Sequence, residues 1–82
     1  MYRIDFTHSA EKTFLKLPRD IQLRIRATLE RARIRPEAHF ERLVGEPLYK
    51  LRAGDYRIIA DITHERLLIL VIEIGHRKNI SK

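Results

Sequence analysis

The chain has 82 residues, 17 Lys and Arg against 11 Asp and Glu for a net charge of +6 at pH 7, and no cysteine or tryptophan. That length fits one small domain. Zero Cys excludes disulfides and thiolate metal sites, and 44% apolar residues with only three Gly and three Pro exclude disorder and fibrous repeats. The longest apolar run, residues 67–72, is far below the roughly 20 residues that span a bilayer. Met1-Tyr2-Arg3-Ile4-Asp5 lacks the apolar centre of a secretory signal, so a cytoplasmic location and an anionic partner are expected.

In chain order, Tyr2, Ile4 and Phe6 alternate with Arg3 and Asp5, the period-two pattern of a half-buried first strand. Thr7 or Ser9 can cap a short helix reaching about Lys16, in which Ala10, Phe14 and Leu17 recur on one face. Pro18 suits the first position of a second helix and Asp20 its positive end. Ile21, Ile25, Thr28, Leu29 and Ala32 form the inner stripe, and Pro36 stops it. The Leu17-Pro18 link is short enough to make the two helices an antiparallel hairpin. Residues 36–47 hold two prolines, a glycine and three glutamates, and are expected to be loop. Three strands follow, 48–53, 56–63 and 67–75, turning at Gly54-Asp55 and at His64-Glu65-Arg66. The expected class is α+β in the order β-α-α-β-β-β, a helical hairpin packed on one face of a mostly antiparallel four-stranded sheet.

Within residues 9–35, eight Lys and Arg stand against three Asp and Glu. Arg24, Arg26, Arg31, Arg33 and Arg35 fall mostly off the apolar stripe of the second helix, as on a solvated face. Strand parity sorts the remaining charges, because side chains two apart share a sheet face. Tyr49, Leu51, Ala53, Tyr56, Ile58, Ala60, Ile62, Leu68, Leu70, Ile72 and Ile74 are assigned to the side that receives the helices. The opposite face then gathers Lys50, Arg52, Arg57 and Arg77 with Ile59, Leu67, Ile69 and Val71. Convergent forked guanidinium groups suit a phosphate-bearing ligand, and apolar residues among them suit a protein partner. Ordinary cross-strand pairs, Lys50 with Glu73 or Arg57 with Asp61, would account for the same charges. His8, His39 and His64 have no paired ligand spacing, so no metal site is expected.

The run Leu48-Tyr49-Lys50-Leu51-Arg52-Ala53-Gly54-Asp55-Tyr56-Arg57-Ile58-Ile59 and the later Ile72-Glu73-Ile74-Gly75-His76-Arg77-Lys78 resemble the RelE group of the RelE/ParE toxins. The opening Phe6-Thr7-His8-Ser9-Ala10-Glu11 and the Lys16-Leu17-Pro18 hinge extend the resemblance along the chain. It implies one toxin domain over residues 1–82, part of a type II toxin–antitoxin system, that cuts messenger RNA in the ribosomal A site with no metal or cofactor. It also implies an acidic RelB-like antitoxin over the basic and apolar face, seated on Ile59, Leu67, Ile69 and Val71. By matching positions, Lys50 and Arg52 correspond to residues that hold or polarise the phosphate, and Arg57 to the arginine that stabilises the transition state. Arg77 corresponds to the residue that protonates the leaving oxygen, and Lys78 and Lys82 are expected RNA contacts. The tail departs from the pattern: family members commonly carry a Tyr four to six residues beyond the position of Arg77, whereas here four beyond is Ser81 and the tail has no aromatic; a Ser cannot stack on a base and accepts a proton poorly, so weaker catalysis is expected. The alternative is a ParE-like toxin that binds and poisons DNA gyrase without cutting RNA; the missing Tyr favours it and the four bases disfavour it.

Overall fold

The computed structural model describes residues 1–76. They form β1 (Arg3–Phe6), α1 (His8–Leu15), α2 (Arg19–Ala32), a 3-10 turn (Pro36–Ala38), β2 (Glu41–Arg42), β3 (Tyr49–Ala53), β4 (Tyr56–Thr63) and β5 (Leu68–His76). Each helix boundary has a local cause. The Thr7 hydroxyl oxygen accepts from the Ala10 N–H at 3.1 Å and caps α1. Past the end of α1, the Gln22 amide donates to the carbonyls of Leu15 (3.3 Å) and Leu17 (2.9 Å), satisfying groups that the helix leaves open and fixing the hinge before α2. Pro18 is the N-cap of α2 rather than its first turn. Of the predicted stripe, Ile25, Leu29 and Ala32 are buried, and Ile21 and Thr28 are half-buried.

The sheet order is β1-β5-β4-β3-β2, with β1 parallel to β5 and every other pair antiparallel. Both helices lie on one face, α1 over β1 and β5 and α2 against β3. The class and the hairpin-on-sheet architecture match expectation, but the sheet has five strands rather than four. Glu41 and Arg42, inside the expected loop, pair with Lys50 and Tyr49. Two residues between prolines are too short to show a period, which is why sequence pattern does not reveal this strand.

A second difference changes which residues face the helices. Ile59 pairs with Glu73, but its neighbour Ala60 pairs with Val71, so Ile72 is an extra residue in β5. Such a bulge reverses the alternation on either side of it. Ile69 and Val71 therefore join Ile58, Ala60, Ile62 and Ile74 in the helix-side core, where Ile25, Ile58, Ile69 and Val71 are wholly inaccessible. Leu68 and Leu70 turn to the other face, half-buried, opposite Thr63 and Asp61. The Thr7 hydroxyl, besides capping α1, lies 3.4 Å from the Ile72 carbonyl, so the cap and the bulge share one side chain.

The turns follow the chemistry of their residues. Gly54 opens the two-residue β3–β4 turn at φ 64, with Asp55 on the negative side, as in a II′ hairpin. In the four-residue β4–β5 connection the left-handed position falls on Leu67, at φ 51, so Leu67 belongs to the turn and not to the strand. Gly54 is also covered: a Cβ there would sit 2.7 Å from Nη1 of Arg24. The arginine tip can yield, but the backbone cannot. Gly54→Ala is accordingly expected to cost about 1–2 kcal/mol, lowering Tm by about 4–8 °C per kcal/mol in a thermal melt. An unchanged Tm would mean that the turn relaxes to a different type.

Candidate functional site

The face of the sheet turned away from the helices carries the convergent cations. On β3 and β4, Lys50 and Arg52 share that face with Arg57 and Ile59, and the register makes two rows across three strands: Lys50, Ile59 and Glu73, then Arg52, Arg57 and Gly75. Residues directly opposite in an antiparallel pair have Cβ atoms about 4.5–5.5 Å apart, so the stems of Arg52 and Arg57 start side by side. Like charges so placed weaken a sheet, and the arrangement is better suited to gripping an anion than to holding strands together. Arg52 is exposed and Arg57 half-buried, while Gly75 next to Arg57 presents no side chain. Ile59 is only 5% exposed yet lies outside the helix-side cluster, forming an apolar floor between Lys50 and Glu73.

Lys50 has a partner. Its Nζ lies 3.6 Å from Oε1 of Glu41, the β2 residue opposite it. Glu73 is not needed to account for the lysine, and the pair exists because of the short β2 strand, which sequence pattern does not reveal. With Glu41 mostly exposed, such a contact is worth little to stability and can open to a competing anion.

Lys50, Arg52 and Arg57 thus stand together on one open surface. Arg77, Lys78, Ser81 and Lys82 lie outside the described residues. The four residues expected to seat a protein partner fare differently. Ile69 and Val71 are 0% exposed in the helix-side core, and Ile59 is buried on the open face; Leu67 alone is substantially accessible, at 47%, in the β4–β5 turn. The bulge at Ile72 is the reason for the first two. The apolar residues that do line the open face of β5 are Leu68 and Leu70, beside Arg3 and Asp5 of β1, which pair at 3.2 Å. Nothing in an unbroken apolar run distinguishes them from Ile69 and Val71. His76 sits against the Tyr56 ring, centroids 5.4 Å apart, on the far side of the sheet from Arg57. Among the described residues, no three His, Asp or Glu side chains come together as metal ligands, and no helix is long and apolar enough to cross a membrane.

Residues 4–80 match the family model described as the ParE toxin of type II toxin–antitoxin system, parDE. The chain is 28% identical over 80 residues to the mRNA interferase toxin RelE of Escherichia coli K12, covering 94% of this chain and 84% of that protein. Among solved structures it resembles a chain of the intact E. coli RelBE toxin–antitoxin complex, with TM-score 0.79 and 30% identity over 93% of this chain and 96% of that one. It also resembles a chain of the RelBE2 toxin–antitoxin complex from Mycobacterium tuberculosis, with TM-score 0.85 and 24% identity over 93% and 98% of the two chains.

Proposed function

Because the chain belongs to the RelE/ParE superfamily of toxins from type II toxin–antitoxin systems, we propose that it is a ribosome-dependent mRNA endonuclease, a single toxin domain over residues 1–82 acting in the cytoplasm. The observation that carries this reading is the opposition of Arg52 and Arg57, with Lys50 one row away, on a sheet face that the helices leave open. The similarity to the E. coli mRNA interferase supports the same substrate class.

In this reaction the 2′-OH of the RNA attacks the adjacent phosphorus. An O2′–P bond forms as the P–O5′ bond breaks; the 2′-OH gives its proton to solvent water, and the departing 5′ oxygen receives one from the protein. The protein's work is to align the linkage and to neutralise charge that grows on the equatorial oxygens. Lys50 and Arg52 hold the phosphate, Arg57 meets the growing charge with a planar pair of donors, and Arg77 delivers the proton to the leaving oxygen. Lys78 and Lys82 bind flanking RNA. The scheme uses RNA, solvent water and side-chain groups and calls for no metal or cofactor. An acidic RelB-like antitoxin would be drawn to the same cationic face, with Leu67, Leu68 and Leu70 as its apolar footing.

Purified protein incubated with translating ribosomes is expected to cut messenger RNA in phase with codons, read by mapping the 5′ ends of the products. Supercoiling inhibition with intact message would overturn the nuclease reading in favour of gyrase poisoning. The tail supplies a second arm. Ser81→Tyr adds a ring able to stack and a better proton acceptor, and a gain in cleavage of about 10²-fold or more is expected if Ser81 attenuates the reaction; an unchanged rate would remove the attenuation.

A further inference from the structure

Beside the open face, between α2 and the edge of β3, runs a groove of about 290 Å³ whose lining includes Thr28, Arg31, His39, Lys50, Leu51 and Arg52. Its composition follows from two features. Arg24, Thr28 and Arg31 are spaced i, i+4, i+7, so α2 lays them in one line along the β3 edge: Arg24 reaches the Gly54 turn at one end, and Arg31 lines the groove at the other. The second feature is the early end of β2, which pairs only with Tyr49 and Lys50. If β2 continued, His39 would oppose Arg52; instead the His39 N–H donates to the Pro36 carbonyl at 3.0 Å and closes the 3-10 turn. By the alternation of an antiparallel ladder, with Leu43 N–H bonded to Leu48 O, the Arg52 N–H and C=O point away from β4 into the opening.

The groove is therefore lined by the basic residues Arg31 and Arg52 together with Leu51 (4% exposed), and β2 does not reach the Arg52 backbone N–H beside it. The Thr28 hydroxyl donates to the Arg24 carbonyl at 2.9 Å, leaving Thr28 as a wall rather than a donor. The one carboxylate in the lining, Glu41, is held by Lys50 at 3.6 Å. Forked cations plus a backbone donor in a concave site are the complement of a phosphodiester.

We propose that this groove is a second phosphate-binding subsite, taking the backbone of single-stranded RNA as it passes from the Lys50–Arg52–Arg57 face around the β3 edge, with Arg31 as its principal contact. The subsite rests on the nuclease reading, since it extends the same RNA path. It gives α2 a role beyond that of a solvated face.

The test uses a short, uncleavable 2′-O-methyl RNA and fluorescence anisotropy at several salt concentrations, with the full chain and its variants. Arg31→Gln is expected to weaken binding about five-fold at low salt, irrespective of sequence, and to reduce the slope of log K against log salt by about 0.7. Arg19→Gln, the same charge change on the first residue of α2 and off the Arg24–Arg31 line, is the control and is expected to stay within about two-fold of the parent. Glu41→Gln frees Lys50 and is expected to tighten binding about two-fold. An Arg31→Gln variant that binds like Arg19→Gln overturns the subsite while leaving the nuclease reading in place. Failure of the parent chain to bind the RNA at all also overturns the subsite, while the nuclease reading is decided separately by the codon-phased cuts on translating ribosomes. Weakened binding of an oligoglutamate peptide but not of RNA on Arg31→Gln would reassign the groove to an acidic protein partner and likewise overturn the proposal.

Discussion

Arg57→Ala is expected to slow codon-phased mRNA cleavage by about 10²- to 10³-fold, the size of effect seen when one preorganised donor to a developing oxyanion is lost. The argument is geometric. Arg57 springs from the middle of the sheet, half-buried, with Arg52 directly across and Gly75 clearing the space on its other flank. A guanidinium held by a strand rather than a loop loses little freedom on meeting the phosphate, so its contribution is concentrated in the transition state. Arg57→Lys keeps the charge but not the forked donors, and is expected to recover only part of the rate. Single-turnover cleavage on programmed ribosomes, paired with a thermal melt, separates loss of rate from loss of fold. An intact rate in a folded Arg57→Ala protein would remove this residue from the chemistry.

Ile69→Asp carries the second large effect, and it is one of folding. Ile69 is 0% exposed between β1, β4 and the helices, paired with Ile4 and Ile62. A carboxylate there meets no partner, at a cost of more than about 4 kcal/mol, comparable with the entire stability of a domain this small. The cooperative transition is expected to vanish from the circular-dichroism melt. Leu70→Asp, one residue along and half-buried on the open face, is expected to retain it. A folded Ile69→Asp protein that merely bound its antitoxin more weakly would restore the surface role that strand parity first suggests.

These two residues also mark where the fold is legible in the sequence and where it is not. Between Tyr49 and Ile59 polar and apolar residues alternate almost without interruption, a glycine announces the turn, and the ladder is regular. The placement of Lys50, Arg52 and Arg57 can be read from that pattern. Residues 67–72 are apolar without exception, so the run contains no contrast from which to read a face. Unbroken alternation places Ile69 and Val71 on the face of Glu73, but a bulge that no glycine or proline signals lies between them and moves both to the helix side. The α2–β3 groove was hidden for another reason. It depends on where β2 begins and on the 3-10 turn that precedes it, both settled by packing rather than by period.

The pairing of β1 with β5 joins Arg3 to Leu68 and Phe6 to Val71, segments some 65 positions apart. During synthesis, then, β1 leaves the ribosome well before the strand it pairs with. Until it arrives, α1 has no floor and the β2-β3-β4 meander bears its cations on an unsupported ribbon, a topology whose long loop closure also slows folding. The sheet is accordingly completed only once β5 has joined β1.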